Sequence, residues 1–150
     1  MIAHNTKKLL KKAVDLLKSL HFEAEDIMVT GSIALKLQGL LENRPSHDVD
    51  FIIKMDDKTW KCLKLLEAIE STDGEKEKFS SNRNKKTIFL KHDETMINIW
   101  RYDDFTDWSD IKDSNTGVYV ATVNHILNVK KMYGRDKDFK DINEIVKSLL

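Results

Sequence analysis

Residues 30–53 read TGSIALKLQGLLENRPSHDVDFII, from Thr30 through Gly31-Ser32 to Asp48-Val49-Asp50 and on to Ile53. Gly31 and Ser32 follow a short apolar run, Ile27-Met28-Val29, and precede Ala34, Leu35, Leu37 and Leu41 at helical spacing. The pair therefore reads as a strand-to-helix turn. Asp48 and Asp50 stand at the start of an apolar strand. Alternate strand residues point the same way, so the two carboxylates share one face while Val49, Phe51 and Ile53 share the other. Like charges held that close repel each other unless a cation sits between them. Mg²⁺ suits the position, because it takes oxygen ligands and is usually held by one or two carboxylates together with phosphates. A glycine turn feeding a helix offers free N–H groups to a phosphate. Metal and phosphate in one motif imply nucleotide chemistry.

The flanking sequence supplies the remaining elements. Leu9, Leu10, Ala13, Leu16, Leu17 and Leu20 predict a helix over 5–20, capped by Asn5 or Thr6. The helix after Gly31-Ser32 is expected to end near Asn43 and Pro45, the only proline. A strand over 49–54 and a helix over 59–69 follow. The polar region 71–86, with Gly74 and the Ser80–Asn84 cluster, reads as a strand or hairpin arm with a loop. Strands over 87–91 and 96–102 are joined by His92-Asp93-Glu94, and 106–116 is loop-rich. Val118-Tyr119-Val120 reads as a short strand, and helices over about 122–133 and 138–149 close the chain. The order α-β-α-β-α-β-β-β-α-α predicts one α/β (α+β) domain over 1–150: a mixed sheet with helices packed on it and two C-terminal helices.

Composition narrows the function. The 150 residues carry 25 basic and 25 acidic side chains, so binding nucleic acid by bulk charge is disfavoured, though a local basic patch stays open. The single cysteine, Cys62, cannot form an internal disulfide and reads as a buried or half-buried thiol. No apolar run approaches the roughly 18 residues of a membrane span. The lysine-broken start is unlike a signal peptide, so a cytoplasmic location without membrane contact is expected.

The pattern Gly31-Ser32-x-Ala34-Leu35-x-Leu37, then Arg44-x-Ser46-x-Asp48-x-Asp50-Phe51, resembles the nucleotidyltransferase superfamily with the DNA polymerase β-like palm. Its spacing is similar to the AbiEii-like branch, the toxins of type IV toxin–antitoxin systems and their small single-domain relatives. A second segment agrees: Val120-Ala121-Thr122, Lys130, then Arg135-x-Lys137-Asp138-x-x-Asp141-Ile142. The resemblance implies a nucleotidyltransferase fold and transfer of an NMP from a Mg²⁺-bound NTP to a hydroxyl acceptor, with release of pyrophosphate. The acceptor could be tRNA, a protein or a small molecule such as an antibiotic, and an antitoxin is the implied protein partner. Asp48 and Asp50 would hold one or two Mg²⁺ ions. Ser32 and the amides after Gly31 would bind the β- and γ-phosphates, with Arg44 and Ser46 beside them, and Lys130 would stabilise the leaving pyrophosphate.

One position departs from the family. Its third carboxylate lies on a later strand, which here reads Met96-Ile97-Asn98-Ile99-Trp100, so the matching residue is Asn98. An amide coordinates a cation weakly and cannot act as a general base. Asp138, on the last helix, is the candidate replacement. The alternative is a degenerate nucleotidyltransferase fold that binds a nucleotide or a protein without catalysis.

Plainer roles stand beside each of these. Asp48 and Asp50 could cap a turn, Gly31 could be a turn glycine and Ser32 an N-cap. Lys130 shares a helical face with Val123, Ile126 and Leu127 and could merely snorkel. Asp138 is well placed to complement a helix dipole. Trp100, Tyr102 and Trp108 read as core or rim aromatics, His47 as an exposed loop residue, and the lysines at 7–12 and 85–86 as solvated faces.

Overall fold

Strand alternation orders the centre of the molecule. In β2 (Asp48–Ile53), Val49, Phe51 and Ile53 are fully buried, whereas Asp48 and Asp50 are only partly covered. In β4 (Thr95–Arg101), Ile97 and Ile99 are buried, and Asn98 and Trp100 lie on the opposite face. The structure is a computed structural model that describes residues 4–70, 87–92, 94–103 and 107–150. The region 71–86, with its expected hairpin arm and Lys85-Lys86, lies outside the described residues, as do Asp93 and Thr106.

Strands β2 and β4 run parallel within a five-stranded mixed sheet of order β3-β4-β2-β1-β5. β1 (Ile27–Thr30) is antiparallel to β2, β3 (Thr87–His92) is antiparallel to β4, and β5 (Tyr119–Val120) is parallel to β1. The helices are α1 (His4–Ser19), α2 (Gly31–Leu37), α3 (Asp57–Glu70), α4 (Val123–Tyr133) and α5 (Asp136–Leu149). This is a mixed α/β architecture in the element order expected from the sequence periodicity. Leu10, Ala13, Val14 and Leu17 of α1 and Ile33, Ala34 and Leu35 of α2 join Val49, Phe51, Ile97 and Ile99 in the core. Each large side chain so buried contributes roughly 1.5–3 kcal/mol of transfer free energy. The edge strand β3 is tied to α3, where the Phe89 amide donates to Glu67 Oε2. Among the described residues no helix is long and apolar enough to cross a membrane.

Three local expectations are corrected. Helix α2 stops at Leu37, well short of Asn43, because Gly39 adopts φ +80°. The Leu40 amide then donates to Leu35 O and the Gly39 amide to Lys36 O, a Schellman closure with Leu40 buried beneath it. Asn5 and Thr6 lie inside α1 and do not cap it, and Thr6 is buried. Cys62 is exposed, because α3 turns Leu63 inward and Cys62 sits about 100° away around the helix.

Candidate functional site

The register of β2 and β4 sets Asn98 directly across from Asp50 and Met96 across from Asp48. Asn98 Nδ2 donates to Asp48 Oδ2 and to Asp50 Oδ1, each at 2.9 Å, so one amide bridges both carboxylates. Burial is the main reason that the Asp50 pKa rises from 3.8 to about 6. The bond from Asn98 opposes that rise, the neighbouring Asp48 adds to it, and Lys130 draws it back. Asp48, Asp50 and Asn98 therefore act on one another at one place on the polar face of the sheet, and Lys130 on α4 adds a weaker electrostatic attraction.

The Gly31 turn is fitted against the same carboxylate. Thr30 pairs with Asp50 across β1 and β2. Gly31 follows at φ +64°, and a Cβ there would come within 2.3 Å of Asp50 Oδ2. Only glycine satisfies both the left-handed backbone and the close approach. One residue on, Ser32 Oγ and Ser46 Oγ share a hydrogen bond of 2.9 Å. Lys36 Nζ donates to Ser46 Oγ at 2.6 Å, and burial lowers the Lys36 pKa. Two candidates read 14 positions apart in the sequence, Ser32 and Ser46, thus meet through their hydroxyls.

The C-terminal helices bring a separate set of charges. Thr122 caps α4 by accepting from the His125 amide, and Gly134 ends that helix at φ +60°. On α4, Lys130 Nζ donates to Asp141 Oδ2 at 2.9 Å and lies 4.0 Å from Asp138 Oδ1. Arg135 grips Asp138 with Nε at 2.7 Å from Oδ2 and Nη2 at 3.2 Å from Oδ1, and its backbone amide also donates to Oδ2. The guanidinium holds the buried Asp138 carboxyl below the usual range. Burial works against ionisation of Asp141, but bonds from Lys130 and Arg44 outweigh it and keep that pKa low too. Arg44 also pairs with Glu144, so it ties the loop before β2 to α5.

The candidates are therefore placed unequally. Gly31 and Asn98 pack against Asp50, and Asn98 also bonds Asp48. Ser32, one residue beyond Gly31, bonds Ser46, and Lys130 acts on Asp50 only electrostatically while it bonds Asp141. Asp138 has both oxygens engaged by Arg135 at the start of α5, a capping and ion-pairing arrangement. Arg44 faces Asp141 and Glu144. His47 is exposed, and Trp108 packs edge-on against Tyr102 and Tyr119 with Lys54 over its ring. Sequence reasoning gave no role to Lys36, Asp141 or Glu144. Lys36 lies four residues after Ser32, one helical turn on, and that spacing was the available signal.

Among the described residues no three His, Cys, Asp or Glu side chains form a metal-ligating group. The site instead has two carboxylates and one amide, which does not make an all-protein cage. It does fit Mg²⁺, which keeps several waters and substrate phosphates among its ligands. The raised Asp50 pKa, to which Asp48 contributes, is a charge strain that a cation would relieve. A half-turn of the Asn98 amide would exchange its donor for its oxygen. No protein-family model matches the chain, and no curated protein matches it.

Proposed function

We propose that the chain is a nucleotidyltransferase of the polymerase β-like, AbiEii-like kind, which moves an NMP from a Mg²⁺-bound NTP to a hydroxyl acceptor. The observation that carries this reading is the shared face of Asp48 and Asp50, with Gly31 packed against one carboxylate and Lys130 acting on the same one. Asp48 and Asp50 would hold Mg²⁺, with the Asn98 amide oxygen as a further neutral ligand. Bound there, Mg²⁺ supplies charge neutralisation at the transferring phosphate. Ser32 and Ser46 present adjoining hydroxyls to the β- and γ-phosphates, and Lys130 offers a point charge to the pyrophosphate. The acceptor oxygen forms a bond to the α-phosphorus as the bond from that phosphorus to the bridging oxygen of pyrophosphate breaks. Asp138, held as a carboxylate by Arg135, would have to leave that partner to take the acceptor's proton.

One observation favours a second reading, a fold that binds Mg-nucleotide without turnover. The Asn98 amide bridges Asp48 and Asp50 where the family places a third acid. Calorimetry with Mg-NTP, run beside pyrophosphate release in the presence of tRNA, protein extract and small-molecule acceptors, separates the two. Binding with release that Asp48→Ala abolishes supports transfer. Saturable binding with no release supports the binding module, and no binding at millimolar Mg-NTP rejects both.

A further inference from the structure

A cleft of about 1010 Å³ opens behind the 42–47 loop, between that loop, α1 and the turn joining β3 to β4. Lys36 lines it and is only 4% exposed. An ammonium has three protons to donate, and the one bond of Lys36 is to the neutral Ser46 hydroxyl. Among the described residues no carboxylate lies within ion-pair distance of it. Desolvating a cation without a counter-charge is costly, so the fold keeps a charge here for which the described residues supply no ion-pair partner.

The rest of the wall carries charges of both signs. Lys8 and Lys12, one helical turn apart on α1, also line the cleft and have no ion pair among the described residues. Three carboxylates face the space as well: Asp15, Glu42 and Glu94. Asp15 is taken by Lys11 at 2.9 Å. Arg44 is committed to Asp141 and Glu144, and His47 and His92 complete the titratable lining. Three lysines, Lys36 buried and Lys8 and Lys12 exposed, thus line one cleft large enough for a phosphoryl group and its substituent.

We propose that this cleft is a phosphate-binding site, with Lys36 as its innermost contact and Lys8 and Lys12 on its outer wall. It takes a phosphomonoester or the phosphodiester backbone of a nucleic acid. A phosphate oxygen accepts charge-assisted bonds from the free Lys36 donors and supplies the missing counter-charge. The site uses neither Asp48 nor Asp50 and needs no metal, but through Ser46 it adjoins the hydroxyl pair that the magnesium-nucleotide reading gives to phosphate.

The test is calorimetry on the full chain in EDTA, with inorganic phosphate in one arm and a short single-stranded RNA in the other. Saturable binding is expected in at least one arm, weakened roughly tenfold or more by Lys36→Met, which keeps the volume and removes the charge. Binding confined to phosphate assigns a monoester site. RNA binding whose salt dependence becomes shallower in the Lys8→Gln, Lys12→Gln double variant assigns a phosphodiester site. If Lys36→Met does not fold, the double variant carries the test, with weaker binding expected. The proposal is overturned if neither ligand binds at millimolar concentration, or if the folded variants bind as tightly as the parent. Because EDTA removes Mg²⁺, failure here leaves Mg-NTP binding to be judged separately.

Discussion

Gly31 and Asp50 are in direct contact: a methyl group on Gly31 would sit 2.3 Å from Asp50 Oδ2 and 3.1 Å from its carboxyl carbon. The strand-to-helix turn and the carboxylate are therefore parts of one packed unit. The left-handed backbone at Gly31 lets the chain turn into α2 without pushing Asp50 away from Asn98.

Gly31→Ala should accordingly lose more stability than a left-handed backbone alone explains. Gly134 has a similar φ of +60°, yet a Cβ there meets nothing closer than 3.6 Å. Gly134→Ala is expected to cost about 1–2 kcal/mol, the backbone penalty alone. Gly31→Ala should exceed that by roughly 1 kcal/mol or more, from overlap with Asp50. Urea unfolding of the two variants checks this. Equal losses would mean that Asp50 moves aside freely.

Asp50 makes the stability of the metal-free protein depend on pH. Its pKa is raised from 3.8 to about 6, so the folded state favours the protonated acid. Its contribution is fully present below 3.8 and is lost as pH rises through 6. Asp50→Asn, which keeps an acceptor for Asn98, should stabilise the protein at neutral pH in EDTA by up to about 3 kcal/mol. The benefit should vanish below pH 3.8. Thermal unfolding across that range reads the difference, and a pH-independent gain would point to packing rather than charge.

Much of this arrangement is legible in the sequence because strand period and turn chemistry act locally. DVDFII places two acids on one face by alternation alone, and MINIW does the same for Asn98. That Asn98 bridges both acids depends on the register of β2 against β4, two strands separated in sequence by α3, the region 71–86 and β3, and no local pattern sets that register. The early end of α2 was readable in Gly39, but the apolar spacing of Leu37 and Leu41 outweighed it. Leu41 in fact adopts φ +53° beyond the helix. The engagement of Asp138 by Arg135 follows from their spacing of three at a helix start. The pairing of Arg44 with Asp141 and Glu144 joins residues about a hundred positions apart and needed the tertiary structure.

That long-range pairing is unequal on its two sides. Asp141 and Lys130 have side chains 14% and 19% exposed, whereas Glu144 is 53% exposed. Asp141→Asn leaves Lys130 and Arg44 without their shared carboxylate and is expected to cost about 2 kcal/mol. Glu144→Gln removes only a solvent-screened partner and should cost less than about 0.5 kcal/mol. The depressed pKa of Asp141 gives a second signature. Its contribution is present above 3.8 and is lost as pH falls below that value, the opposite sense to Asp50. Chemical denaturation of both variants at neutral and acid pH tests this. Equal, small losses would mean that water replaces Asp141.

Asn98→Asp is the variant in which structure and function meet. In the parent, the amide supplies the positive end of a dipole to two carboxylates at once. Replacing it removes both bonds and sets a third negative charge against Asp48 and Asp50, one of which is already strained toward neutrality. In EDTA the variant is expected to lose about 2 kcal/mol or more. Millimolar Mg²⁺ should restore much of that loss, because three convergent carboxylates bind a hard cation more strongly than two and an amide. The parent should gain less from the same addition. A melting series with and without Mg²⁺, read beside pyrophosphate release from NTP, measures both consequences. Restored stability together with faster release would identify Asn98 as the residue that limits turnover. If Mg²⁺ restores stability but release is unchanged, the limit lies with the proton acceptor. If Mg²⁺ changes neither protein, Asp48 and Asp50 are not a magnesium site, and the face they share is held by Asn98 as structure alone.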